Sequence, residues 1–188
     1  MKKYVGCLFI VLFLFIFIVS ACSKPEDIKL TKAAVMITEN KDLVGSTTTT
    51  IGKHKNQTIV PTALYYTFTV KNNSNKSIFR SQLNKVKMRI EPDQDLLSFV
   101  EETIGSNIYN VNKSKIGWGQ GVEEIAAKGT GEFNLYYKLG AKQKSDELPL
   151  VPKKEELKNI ENLALKATLI VSKDGKEIAR FKLDSINK

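Results

Sequence analysis

The clearest order in this chain is a two-residue alternation of apolar and polar positions. Leu64, Tyr66, Phe68 and Val70 alternate with Tyr65, Thr67, Thr69 and Lys71, the pattern of a strand with one dry and one wet face. The same period places Ala33, Val35 and Ile37 on one parity, and Val86, Met88 and Ile90 against Lys87 and Arg89. Phe133, Leu135, Tyr137 and Leu139 repeat it, as do Leu165, Ala167, Leu169 and Val171. Ala179, Phe181 and Leu183 close the series, with Arg180 and Lys182 facing out. These half-buried strands predict two antiparallel sheets packed on one another.

Two stretches change period. Pro152 precedes Lys153, Lys154, Glu155 and Glu156, after which Leu157, Ile160, Leu163 and Ala164 recur at helical spacing. Proline at the start and carboxylates in the first turn suit a short helix. Pro92 and Asp93 open a second such segment through Leu96, Val100 and Ile104 to Gly105, although Leu97, Phe99 and Glu101 also fit a strand. Residues 39–58, 105–129 and 140–152 read as loops, and Asn72 to Asn75 as a turn. For the final hairpin, a turn at Asp174-Gly175 alone would set Leu169 against Arg180 and bury charge. A three-residue loop, Lys173-Asp174-Gly175, with Gly175 left-handed and a bulge, pairs Leu169 with Ala179, Ala167 with Phe181 and Leu165 with Leu183, and is the expectation.

The first 22 residues obey neither period. Lys2 and Lys3 precede an unbroken apolar run from Cys7 to Val19, the length of a secretory signal and short for a helix spanning about 30 Å of hydrocarbon. The run ends in Val19-Ser20-Ala21-Cys22, followed by Ser23-Lys24-Pro25. An aliphatic residue, two small ones and a cysteine resemble the lipobox of bacterial lipoproteins. The resemblance implies lipid on the Cys22 thiol, cleavage between Ala21 and Cys22, and frequent acylation of the new amine, as with palmitate. A plain signal peptide or an uncleaved anchor with an incidental cysteine is the competing reading. The resemblance also implies a cell-membrane location on the extracytoplasmic face. Together with the polar tether and the strand ending in Asn72-Asn73-Ser74, the chain resembles the immunoglobulin-like domains of small extracytoplasmic lipoproteins. The expected fold class is therefore mainly β, an immunoglobulin-like antiparallel sandwich with one or two short helices, preceded by a hydrophobic signal helix. The expected organisation is a signal peptide at 1–21, a lipidated tether at 22–30 and the sandwich at 31–188.

Composition narrows the chemistry. The chain has 188 residues, one histidine and two cysteines, Cys7 and Cys22. That inventory leaves no Cys/His zinc cluster and no disulfide framework, and any histidine-dependent triad would have to use His54. His54 lies between Lys53 and Lys55, whose charges oppose its protonation, and reads as an exposed loop residue. Net charge is +9; removing residues 1 to 21 leaves 27 basic against 20 acidic residues, a net +7. A basic domain beside a membrane suits anionic lipid or anionic wall polymer, yet the charge is spread along the chain, as in ordinary solvated faces.

Among carboxylates, Glu101-Glu102 and Glu123-Glu124 are adjacent and poorly placed to act as a pair, and Asp93-Gln94-Asp95 lacks the glycine and glutamate of a calcium loop. No metal and no cofactor is called for. The run Gly117-Trp118-Gly119-Gln120-Gly121 lacks the Lys-Ser/Thr of a phosphate loop. Trp118 is either an exposed aromatic on a loop or a ring tucked onto the sheet edge, and Tyr65 and Tyr136 with nearby lysines form an outward aromatic patch of the kind partners contact. No nucleic-acid motif is present. The expectation is a membrane-anchored, non-catalytic binding or adaptor module, with membrane lipid and a wall polymer or envelope protein as partners. A carboxylate-dependent envelope hydrolase and a small-ligand-binding lipoprotein are the alternatives.

Overall fold

The computed structural model describes residues 27–48, 58–79, 86–112, 116–143, 145 and 148–186. The expected signal peptide with Ala21 and Cys22, most of the tether, and His54 with its flanking lysines lie outside them. Strand β1 (Ile28–Thr38) is followed by a helical turn, α1 (Lys41–Val44), and a pair of two-residue strands, β2 (Thr47–Thr48) and β3 (Thr58–Ile59). Then come β4 (Thr62–Asn72), β5 (Val86–Pro92), α2 (Gln94–Ile104), β6 (Trp118–Val122) and β7 (Thr130–Gly140). Helix α3 (Lys154–Leu163), β8 (Ala167–Lys173) and β9 (Lys176–Lys182) follow, and a 3-10 turn at Leu183–Ser185 takes Leu183 out of the last strand.

The strands form a four-stranded sheet in the order β1-β4-β7-β6 and a three-stranded sheet in the order β5-β8-β9, antiparallel throughout. The alternation explains why they share one core. Tyr66, Phe68, Phe133, Leu135 and Tyr137 of the larger sheet join Met88, Ile90, Leu169 and Val171 of the smaller one in a single apolar cluster. Burial of such side chains is the main stabilising contribution, about 1.5–3 kcal/mol each.

Both helices form where their end signals predict. The Asp93 carboxylate accepts the Leu96 N–H at 2.9 Å, and Gly105 closes α2 in the left-handed region with its N–H on Glu101 O. Leu96 and Val100 are buried, which decides the segment for helix over strand. In α3 the Lys153 N–H is taken by the Glu156 carboxylate at 2.7 Å, and Ile160 is the buried anchor.

Four expectations are corrected. Residues 118–122 are an edge strand rather than loop, and the 39–48 stretch contains a helical turn whose first N–H groups are capped by Asn40. Leu165 lies before β8, not in it. The closing hairpin turns on two residues, Asp174 (φ 50) and Gly175 (φ 78), so Lys173 faces Lys176 and Ser172 faces Glu177. A bulge then shifts the ladder, and Val171 faces Ala179 while Leu169 faces Phe181. Two positive-φ residues match the strand twist better than the expected three-residue loop, and the bulge restores the parity that the short turn would have lost.

Candidate functional site

The outer face of the four-stranded sheet carries two of the residues singled out by the sequence. Register sets Met36, Tyr65, Tyr136 and Gly119 in one row across β1, β4, β7 and β6. The next row is Ala34, Thr67, Asn134 and Gly121. The Tyr65 and Tyr136 rings stack with centroids 6.3 Å apart and planes 12° from parallel.

The glycines of β6 make this arrangement possible. A Cβ on Gly119 would fall 2.5 Å from the Tyr136 ring, and one on Gly121 would fall 2.7 Å from the Asn134 amide. Tyr136 and Asn134 therefore lie down across bare backbone. This close approach is the role of Gly119 and Gly121 in the Gly-Trp-Gly-Gln-Gly run.

Tyr65 is more covered than its outward parity suggested, at 7% exposure. Val44 and Leu43 of α1, with Ala63 and Val60, pack against it, and burial raises its hydroxyl above the usual tyrosine range. Tyr136 is half-buried and Met36 exposed, so the accessible part of the row is Met36, Tyr136 and the polar edge at Thr67 and Asn134. Trp118 has the opposite parity: it pairs with Tyr137, is half-buried and packs against the main core. It does not share a face with Tyr65 and Tyr136. Above the row, Lys142 and the Thr62 hydroxyl converge on Glu39, at 2.6 Å and 2.9 Å. The Lys142 ammonium holds the Glu39 carboxyl below the usual range.

The remaining candidates lie beside the end of β5. A groove of about 380 Å³ is lined by Arg89, Glu91, Leu97, Asn107, Asn110 and Asn112, among others. A neighbouring groove of about 290 Å³ shares Glu91 and adds Asp93, Lys166, Lys182 and Asp184. The carboxylates here already have partners. Glu91 receives Arg89 at 3.4 Å and Arg180 at 3.2 Å, Asp93 caps α2, and Asp184 sits 3.8 Å from Lys182. Asp95 projects to solvent and pairs with Lys166 at 3.3 Å. Of Asp93, Asp95, Glu101, Glu123 and Glu124, Asp93 alone lines either groove. Arg180 also binds Glu177 through two nitrogens, at 3.0 and 3.2 Å, and holds that carboxyl below its usual range. Among the described residues no group of three or more His, Cys, Asp or Glu is placed to hold a metal.

Sequence reasoning missed two working side chains because their partners come from distant segments. Gln120, projecting inward between the two glycines, accepts the Met88 N–H at 2.9 Å and donates to Val86 O at 2.8 Å. The Tyr137 hydroxyl accepts the Ile90 N–H at 3.1 Å. These bonds occupy the β5 edge from the neighbouring sheet. Asn72, fully buried, is the second hub. Its amide donates to the carbonyls of Lys76, Ala126 and Ile125, and its oxygen accepts from the Ser74 N–H and hydroxyl. Compared with family models, curated proteins and solved structures, the chain matches none of them.

Proposed function

We propose that this chain is a lipid-anchored extracytoplasmic lipoprotein whose domain acts by binding, as an adaptor at the cell envelope rather than as a catalyst. The observation that carries the reading is the Val19-Ser20-Ala21-Cys22 sequence at the end of an apolar run, with β1 beginning only six residues after Cys22. A chain that short spans at most about 20 Å, so a lipid on Cys22 would confine the domain to the membrane surface. Confinement raises the effective concentration of any envelope partner, and modest intrinsic affinity then suffices.

The immunoglobulin-like assignment belongs to this proposal and is supported by strand order. The sheets β1-β4-β7-β6 and β5-β8-β9 follow the A-B-E-D and C-F-G order of a seven-stranded constant-type sandwich. The B–F disulfide of antibody domains has no counterpart among Cys7 and Cys22, and aromatic rings such as Tyr66 and Tyr137 fill the core instead. Such a fold implies no chemistry by itself. The contact face we favour is Met36 and Tyr136 with Asn134 of the next row, a flat aromatic and amide strip of the kind protein partners use.

Cross-linking on intact cells followed by capture tests the reading. The native chain should retain envelope partners that Cys22→Ser loses; equal occupancy of every partner on both forms would contradict tethering. The Asn-lined groove of about 380 Å³ favours a second reading, a small-ligand-binding lipoprotein. A metabolite-dependent rise in Tm, abolished by Asn110→Leu, would favour it over the adaptor.

A further inference from the structure

The two ends of the domain differ in charge, and the difference is aligned with the tether. Asp27, where the chain enters the domain, accepts the Asn73 N–H through its carbonyl at 2.8 Å. Asn73 O in turn receives the Lys128 ammonium at 2.6 Å. A recess of about 200 Å³ at this end is lined by Asp27, Ile28, Ser77, Phe79, Lys173 and Ile178, which places the β8–β9 hairpin beside the tether exit. Six lysines therefore ring one pole: Lys29 and Lys71 at strand ends, Lys76 and Lys128 on turns, and Lys173 and Lys176 at the hairpin.

None of these six is ion-paired with another described residue, whereas Lys142, Lys166, Lys182, Arg89 and Arg180 all are. The acids at the same pole are Asp27, Asp174, the Glu123-Glu124 pair and Glu177, the last taken up by Arg180. At the opposite end, α2 and α3 together carry six carboxylates against two lysines, with Lys153 and Lys166 flanking them. The Asn72 hydrogen bonds hold the Ser74–Lys76 turn and the Ile125–Ala126 segment together, so Lys76 and Lys128 stand on pinned turns.

We propose that the lysine-ringed pole is a docking surface for an anionic phospholipid bilayer, which orients the domain with its helices outward and its tyrosine row upright beside the membrane. The proposal rests on the lipid-anchor reading for what delivers the domain, but not for what the pole binds. Unpaired ammonium groups close to a negatively charged leaflet are attracted over about a Debye length. A tether of at most about 20 Å keeps this pole within reach while the acidic pole is repelled.

The test is lysine footprinting of the full chain, purified from membranes and reconstituted into vesicles, with a water-soluble acylating reagent read by mass spectrometry. On phosphatidylcholine vesicles containing about one-third phosphatidylglycerol, Lys29, Lys71, Lys76, Lys173 and Lys176 should react about tenfold more slowly than on phosphatidylcholine alone. Lys154 and Lys158 should be unchanged, and about 0.5 M salt should remove the protection. The triple variant Lys71→Gln/Lys173→Gln/Lys176→Gln should lose protection at Lys29 and Lys76. Equal labelling of both poles on both vesicles would overturn the proposal. So would equal or greater protection by soluble poly(glycerol phosphate) without vesicles, which would assign the pole to wall polymer. Flotation with the neutral vesicles reports the anchor separately: a chain that stays behind contradicts the lipid reading, while the footprint on anionic vesicles still decides the pole.

Discussion

Asn72 and Gly119 do work that their residue types permit and their neighbours in sequence do not disclose. Asn72 faces three carbonyls with its amide and Ser74 with its oxygen, fully shielded from water. Asn72→Leu keeps the branching of the side chain and strands those buried groups, so chemical denaturation should show a loss of about 3 kcal/mol. At Gly119 the new methyl of Gly119→Ala would meet the Tyr136 ring at 2.5 Å, and an overpacked contact of this kind costs about 1–3 kcal/mol. A double variant with Tyr136→Ala should recover part of that loss, and additive losses would show that the ring is not the obstacle. The buried tyrosines give a pH signature. Tyr66 donates to Ala164 O at 3.2 Å and lies 3.4 Å from the Tyr109 hydroxyl, and burial raises Tyr66, Tyr109 and Tyr137 above the ordinary tyrosine value. The unfolded chain then releases these protons first as pH climbs above about 10, so stability falls with rising pH, by up to about 1.4 kcal/mol per pH unit for each ring. Alkaline titration should show tyrosinate absorbance from these rings appearing only with unfolding. The sequence disclosed the inward parity of Tyr66 and Tyr137 but not their hydroxyl partners, which arrive from segments far away in the chain.

At the scale of elements, periodicity carried most of the information. The strands were readable because one face of each is dry, and α2 and α3 because Asp93, Gly105 and the Glu156 carboxylate mark their ends. Strand β6 was not readable: Gly119 and Gly121 remove its alternation, and its pairing with β7 comes from tertiary contact. The hairpin register failed for a related reason, since a bulge away from the turn restored the apolar parity and concealed the shorter loop. The tyrosine row was legible as a face, but the cover that α1 lays on Tyr65 was not. Gln120 is the element-scale device with the sharpest test. Its amide occupies the Val86 carbonyl and Met88 N–H on the edge of β5, groups that would otherwise offer a pairing edge. Gln120→Leu should cost about 1–3 kcal/mol. Hydrogen exchange at the Met88 amide should accelerate while that at Val171, in the middle of β8, stays slow. Unchanged exchange at Met88 would show that the stitch does not protect the edge.

For the whole molecule, anchor, polarity and binding face make one arrangement. In the arrangement we propose, a lipid at Cys22 would bring the lysine-ringed pole to the bilayer, with the helical pole facing away and the tyrosine row between them, within reach of an envelope protein. The delivery of the domain to the membrane depends on the N-terminal processing that the lipobox resemblance implies. The most direct measurement is intact-mass and N-terminal peptide mass spectrometry of the chain extracted from membranes of the cells that make it. The account predicts a chain that begins at Cys22, lacks residues 1 to 21, and carries acyl-chain mass on that first residue. A chain that retains Met1 through Ala21, with Cys22 an unmodified thiol, would contradict it.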